Sequence, residues 1–353
     1  MQDLSRTSKA AILVQEDGGK FHFDTRQVPL PTLKSDEILV RVSCTGICGT
    51  DMGLAAGALG PTADILGHEG VGYVEKLGDD VSSTEVQIND RIGIMWIRDV
   101  CGKCFMCRTP NEEVRCEKSV RSGLHCDGSF AEYATVPSSY IMRIPKTITV
   151  PDEHIAPILC GGVTAYKAVK VGGGEVGAWI AILGAGGGIG ALAIQYAKAM
   201  GYQVIALDAT NLKRDYCLQA GADAYIDVTR DGKDVQEDVF SLTEGRGAPS
   251  VLVVAGSVDA YKTALDIIGP LGTLVCVGIP FPHLRVPFHP LLFIDKGIRM
   301  IGSCVGTRDD VLDAIDFVQR GLVTPVVNVQ RLEDLNEISA NFGKVSGKPV
   351  IMM

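Results

Sequence analysis

Three features are missing from this 353-residue chain, and each absence excludes something. No run of 18 apolar residues occurs, and the opening MQDLSRTSKAAILVQEDGG holds no apolar core of the kind that marks a secretory leader. The expectation is therefore a soluble, cytoplasmic protein with no membrane-spanning helix. Basic character is also lacking. The 33 Lys and Arg are outnumbered by 42 Asp and Glu, giving a formal charge of −9 without any long basic run. Nucleic acid and anionic membranes are poor partners for such a surface. Repeats and low-complexity segments are absent too, and with 46% hydrophobic residues the chain is globular rather than disordered, with length for two domains. Cysteine, by contrast, is plentiful. Eleven in an intracellular protein are better explained by metal or catalysis than by disulfides.

The stretch Val176–Asp208, VGAWIAILGAGGGIGALAIQYAKAMGYQVIALD, has the order strand, glycine turn, helix, strand, acid. Trp179–Leu183 reads as a strand buried on both faces. The turn carries Gly184, Gly187, Gly188 and Gly190 around Ile189, with Ala185 in place of the first glycine of a strict GxGxxG. Ala191–Met200 is rich in helix formers and closes on Gly201. Val204–Leu207 is the second strand, and Asp208 ends it. This is the dinucleotide fingerprint. Residues without Cβ let the backbone approach a pyrophosphate at a helix N-terminus. Asp208 accepts hydrogen bonds from a ribose 2′-OH and repels a 2′-phosphate, which favours NAD over NADP.

The first 150 residues read as strands and turns: Glu37–Cys44, Val71–Val74, Arg91–Trp96, Phe130–Val136 and Tyr140–Ile144. Helical character begins near Pro151 and runs through Gly162–Val171. Strands then alternate with helices at Val204–Leu207, Ala224–Asp227, Val251–Val254 and Leu274–Val277, which argues for a parallel sheet with crossover helices. Met300–Val305 reads as another strand, Asp309–Gly321 as a helix and Val350–Met352 as a closing strand. The composition changes near residue 155. The expected fold class is α/β, with a β-rich domain over 1–157 that the tail 301–353 completes, and a nucleotide-binding domain over 158–300.

Cys101-x2-Cys104-x2-Cys107-x8-Cys116 is the strongest local signal. Four thiolates close a tetrahedron around Zn²⁺ and leave no open position, the signature of a structural site. A second set is dispersed: Cys48 in GICGTD, His68 and Glu69 in GHE, and Cys160 in PILCGG. Two cysteines, one histidine and one open position form the catalytic zinc pattern. Singly, each is ambiguous, because a buried cysteine is usually a small hydrophobe and a lone histidine a satisfied structural residue. Spacing alone does not bring Cys160 to Cys48. Zinc beside a nicotinamide has a chemical purpose: a metal that lowers the pKa of water from about 15.7 to about 7 also acidifies an alcohol, so that hydride can leave for the cofactor.

Taken together, GICGTD, GHEG, CGKCFMC, DGSFAEYA, PILCGGVTAYKA, GAGGGIG and GSCVGTR resemble, over nearly the whole chain, the zinc-dependent alcohol dehydrogenases of the medium-chain dehydrogenase/reductase superfamily, above all the yeast and fungal type. The resemblance implies a GroES-like catalytic domain built from both chain ends with a Rossmann domain inserted, NAD as cofactor, two zinc ions per chain and a homotetramer. It implies Cys48, His68 and Cys160 on the catalytic zinc with Glu69 behind it, and Cys101, Cys104, Cys107 and Cys116 on the structural zinc. Thr50 would take the substrate's hydroxyl proton, and Asp51 would orient His68. Thr164, Gly184, Gly187, Gly188, Ile189, Gly190, Asp208, Lys213, Val277, Ile279, Ser303, Val305 and Lys348 would bind the cofactor.

The chain departs from the family at four places. Gly53 stands where many relatives carry a proton-passing histidine, and Gly49 replaces a basic residue. Lys348 replaces an arginine. The Cys107–Cys116 spacer is one residue longer than in the yeast enzymes. In the expected substrate pocket, Trp96 fills an aromatic position, while Leu59 stands where ethanol-preferring enzymes have tryptophan. The lost wall volume predicts small-molecule alcohols larger than ethanol as substrates. A specialised aldehyde or enone reductase of secondary metabolism is the alternative within the superfamily, and a zinc- and NAD(H)-binding redox sensor the alternative outside it.

Overall fold

The β-branched run EILVRVSCTG forms the strand Glu37–Gly46, on which half of the molecule is built. The structure is a computed structural model and describes residues 6–230, 234–281, 283–344 and 347–353. The chain divides into two units. One holds the segment up to Cys160 together with Thr307–Gln319 and Pro325–Met353; the other holds Gly161–Gly306 and Arg320–Thr324. No helix among the described residues is long and apolar enough to cross a membrane.

In the first unit Glu37–Gly46 pairs antiparallel with three strands: Gly70–Leu77, Tyr133–Pro137 and the chain's last strand, Lys348–Met352. The sheet continues through Arg91–Ile94 to Met142–Ile144 on one side and through Val327–Arg331 on the other. Ile38, Val40 and Val42 pack with Val74, Ile92, Ile94 and Val136 in one core. A second core gathers Ile47 and Leu54 with Leu66, Phe130 and Ile351, and Trp96 packs against it. These cores fix the loops that follow Glu37–Gly46 and precede Gly70–Leu77, where the site residues lie.

The second unit is a six-stranded sheet with every neighbour parallel: Ala224–Asp227, Gln203–Asp208, Trp179–Leu183, Ala248–Val253, Ile268–Cys276 and Arg299–Gly302. Successive strands run outward from Trp179–Leu183 to one side and from Ala248–Val253 to the other. The order therefore switches between those two, and ligands bind outside the carboxyl ends of strands at such a point.

Most expected strands are present, with shifted ends. Phe130–Val136 begins only at Tyr133, because Gly128, Ser129 and Phe130 donate their amides to Ile65, Gly67 and Leu66 instead of the sheet. Met300–Val305 is shorter, running Arg299–Gly302, since Val305 turns the backbone at φ 31°. The antiparallel pair Thr7–Gln15 and Phe21–Pro29, and the strand Val327–Arg331, had no separate signal in the sequence.

Candidate active site

Cys48 precedes the helix Gly49–Ala55 and occupies its N-cap. Asp51, at the third helical position, accepts the Cys48 amide on Oδ2 at 2.9 Å, a capping-box geometry. That bond turns Oδ1 toward the chain before Gly70–Leu77, where it accepts from Gly67 N at 3.1 Å and meets His68 Nδ1 at 2.9 Å. Asp51, His68 and Glu69 are fully buried. A buried carboxylate with two amide donors is an acceptor, so His68 donates to it from Nδ1 and Nε2 is left to face the cluster. Cys160 ends the short turn Ala156–Leu159 and presents its sulfur 3.9 Å from that of Cys48.

The ligand atoms of Cys48, His68, Glu69 and Cys160 all lie within 4.8 Å of one another. Cys48 as a residue is half-buried, although its sulfur lies inside the cluster. A tetrahedron with Zn–S near 2.3 Å has a sulfur–sulfur edge of about 3.8 Å. The observed 3.9 Å fits a shared ion and is far beyond a disulfide bond. His68 Nε2 and Glu69 Oε2 are buried and have no hydrogen-bond partner. A cation at the cluster satisfies both, and the residues fit zinc.

The charges inside the cluster point the same way. The Cys160 thiol hydrogen-bonds Cys48 and, with Lys348 and His68, holds the Cys48 thiol well below its usual value despite burial. The same contact, then burial, push Cys160 up. Burial works against a charged His68, but Asp51 and then Cys48 raise it well above the ordinary imidazole range. Burial pushes the Glu69 carboxyl up to about 7 against the pull of Lys348. Lys348, read from the sequence as a cofactor contact, donates Nζ to Glu69 Oε1 at 2.7 Å. Gly46 makes room for this acid: a Cβ there would stand 2.0 Å from Glu69 Oε2.

Thr50 Oγ1 lies 3.8 Å from Cys48 Sγ. Trp96 meets the His68 ring edge-on with centroids 5.2 Å apart, and Arg121 lies over the Trp96 face at 5.8 Å. Neither contact has a local sequence signal, since the partners are remote in the chain. Leu59, the other expected pocket residue, is 53% exposed.

Cys101, Cys104, Cys107 and Cys116 converge separately, with Sγ–Sγ distances of 4.0 Å (Cys101–Cys107) and 3.9 Å (Cys104–Cys116). Amides point at the sulfurs: Cys101 and Lys118 to Cys116, both at 3.3 Å, and Cys107 to Cys104 at 3.5 Å. Such donors stabilise thiolate, and the amide of Cys107, then that of Glu117, bring Cys104 down to about 6, while burial pushes Cys107 up to about 12. Four sulfurs at this spacing fill a tetrahedron.

In the second unit the glycine turn follows Trp179–Leu183 and leads into the helix Gly188–Ala199, which begins with Gly188, Ile189 and Gly190. Gly190 allows the close passage of turn and helix, since a Cβ there would stand 2.3 Å from the carbonyl oxygen of Gly184. Asp208 Oδ2 accepts Gly186 N at 2.7 Å, and Oδ1 accepts Ala209 N at 2.8 Å and Lys213 Nζ at 3.0 Å. The acid is thus bonded to the turn it serves. Val277 and Ile279 follow Ile268–Cys276; Ser303 and Val305 follow Arg299–Gly302. All four share the carboxyl edge of the parallel sheet with Gly187 and Asp208. Thr164 is buried in the helix Gly161–Gly172.

The chain matches the alcohol dehydrogenase GroES-like domain over residues 34–146 and the zinc-binding dehydrogenase domain over 188–320. It is 37% identical to an alcohol dehydrogenase of Geobacillus stearothermophilus, over 94% of this chain and 95% of that one. It is also 37% identical to alcohol dehydrogenase 1 of Neurospora crassa, over 97% and 96%. Among solved structures it is similar to the alcohol dehydrogenase of the archaeon Aeropyrum pernix, with a TM-score of 0.85 and 30% identity over 98% of this chain and 100% of that one.

Proposed function

The chain belongs to the zinc-dependent alcohol dehydrogenases of the medium-chain dehydrogenase/reductase superfamily, and we propose that it interconverts primary alcohols larger than ethanol with their aldehydes, using NAD(H) and two zinc ions per chain. The observation that carries the reading is the buried convergence of Cys48, His68 and Cys160, with His68 Nε2 lacking any protein partner. Bound there, zinc supplies Lewis acidity at the substrate oxygen, and the nicotinamide gives or takes the hydride.

The residues divide the remaining work. Cys48 and Cys160 provide thiolate charge, and Asp51 fixes the tautomer and aim of His68. Thr50 accepts the proton of the substrate hydroxyl and passes it on. Glu69, held by Lys348, keeps a carboxylate oxygen beside the ligand set. Trp96 walls the His68 side and excludes water. Asp208 binds the adenine-side ribose through its hydroxyls, with Lys213 beside it, and the amides of Gly187, Gly188 and Ile189 receive the pyrophosphate. The larger alcohol rests on the sequence alone, on Leu59 standing where ethanol-preferring relatives carry tryptophan.

A homotetramer belongs to the same reading. Ile279, Phe281, Phe288, Leu291 and Ile294 are exposed in the segment that leads to Arg299–Gly302, the outermost strand of its sheet. An apolar surface next to an open sheet edge favours a second copy. A reducing, cytoplasmic setting suits eleven cysteines that carry no disulfide.

The test is a panel of ethanol, hexanol, benzyl alcohol and their aldehydes with NAD(H) and NADP(H), with Cys48→Ala as control and zinc counted per chain. The reading expects turnover of hexanol and benzyl alcohol above ethanol, NAD(H) preferred, and loss of activity in the variant. An ethanol kcat/KM far above the others refutes the substrate size. One zinc per chain refutes the two-metal reading.

A further inference from the structure

Three arginines among the described residues have a buried side-chain nitrogen with no acceptor: Arg91, Arg121 and Arg230. Arg91 and Arg230 are ion-paired with Asp152 and Asp238. Arg121 has no carboxylate partner. Its Nε is closed off from solvent without an acceptor, while the residue as a whole is only half-buried and its terminal nitrogens remain accessible.

Its position is fixed from three sides. The strand Val120–Arg121 pairs with Ile97–Asp99, and Ser122 N donates to Trp96 O at 3.0 Å, which sets the Arg121 backbone beside Trp96. The guanidinium carbon lies 5.8 Å from the centre of the Trp96 ring. The same ring meets His68 at 5.2 Å. A cation stacked on an aromatic face keeps its charge and its in-plane donors. Nearby Arg98 shows what a structural arginine looks like in this lobe: fully buried, it donates to Ser122 Oγ, to Thr135 O and to Asp127 O. Arg98 is satisfied by the fold. Arg121 is not.

We propose that the physiological alcohol or aldehyde carries a carboxylate, and that Arg121 binds this group while the reacting carbon lies at the Cys48–His68–Cys160 centre. The inference rests on the alcohol dehydrogenase reading and narrows its substrate class to ω-hydroxy and ω-oxo carboxylates. An arginine fork matches the two oxygens of a carboxylate, and because guanidinium and imidazole lie 5.8 Å and 5.2 Å from the centre of the same Trp96 ring, the two ends of the molecule need only a short aliphatic spacer. Among the described residues no acidic side chain pairs with Arg121, so the carboxylate displaces only water.

The test uses zinc-loaded enzyme with NADH and compares 4-oxobutanoate, 5-oxopentanoate and 6-oxohexanoate with their methyl esters, which keep the chain and remove the charge. For at least one length the acid should exceed its ester in kcat/KM by about tenfold or more, as a charge-assisted hydrogen bond predicts. Arg121→Leu should abolish that preference through KM, leaving the esters within about twofold, and Arg121→Lys should restore part of it. The preference should fall as salt is raised. Acids and esters used equally well at every length overturn the inference, as does an Arg121→Leu enzyme that loses both alike, the mark of a packing role. In either case turnover of neutral aldehydes leaves the alcohol dehydrogenase reading standing. If no aldehyde is reduced, that reading and the inference fall together.

Discussion

Asp51→Asn isolates the link between the helix cap and the metal centre. In the native protein the carboxylate receives three donors: Cys48 N on Oδ2, and Gly67 N and His68 Nδ1 on Oδ1. Asparagine keeps one acceptor oxygen. If it stays with His68 and Gly67, the new amide nitrogen faces the Cys48 amide, donor against donor, in a site with no exposure to solvent. A buried unsatisfied donor costs about 1–3 kcal/mol, and the lost negative charge weakens His68 as a ligand. Removing such a partner usually lowers metal affinity or activity about 10- to 100-fold, which matches that energy at about 1.4 kcal/mol per tenfold. Competition with a chromophoric chelator reads the two zinc classes separately. The catalytic class should weaken by that factor, and the Cys101/Cys104/Cys107/Cys116 class, remote from Asp51, should not change. A catalytic-class affinity within twofold of wild type refutes the argument that Asp51 aims His68.

Three other perturbations follow from the same geometry. Cys116→Ser removes the sulfur that receives the Cys101 and Lys118 amides; it should cost one zinc per chain and speed hydrogen exchange in the 98–121 lobe, since binding free energy of about 10 kcal/mol or more is folding free energy in small zinc domains. Asp208→Ser should weaken NADH about 10- to 100-fold, by the loss of charged hydrogen bonds to ribose, and shift preference toward NADPH, as read from fluorescence titrations of both; an unchanged ratio contradicts the reading. Gly53→Ala should stabilise the protein by about 0.4–1 kcal/mol in urea unfolding, because Gly53 lies within the helix Gly49–Ala55 and a Cβ there meets nothing within 4 Å.

What could be read from the sequence was whatever chemistry is written locally. The four cysteines from Cys101 to Cys116 lie within 16 consecutive positions, so their spacing already encodes a closed metal site. The glycine turn and Asp208 belong to one strand–helix–strand unit, whose pattern of apolar residues declares it. Cys48, His68 and Cys160 are different. Each is ambiguous alone, and family likeness, not spacing, joined them; physically they meet because a helix cap, a loop held by Phe130 and Leu66, and the turn Ala156–Leu159 end at one place. Still less was legible where only long-range packing decides. Gly46 reads as an ordinary strand-end glycine until Glu69 is seen against it, and Lys348 reads as a cofactor contact, while in the fold it pairs with that acid. Arg121 has no signal in the sequence, since stacking on Trp96 leaves no trace in residue order. The excursion Arg320–Thr324 has no compositional mark either.

The most direct test of the central claim is zinc-edge anomalous diffraction from crystals grown without substrate. The account expects two peaks per chain. One should be bonded to Cys101, Cys104, Cys107 and Cys116, and the other to Cys48 Sγ, His68 Nε2 and Cys160 Sγ, at about 2.3 Å for sulfur and about 2.0–2.1 Å for nitrogen, with one position open to a small ligand. A chain in which Cys160 stands outside bonding range of the metal held by Cys48 and His68, or in which no second peak exists, contradicts it.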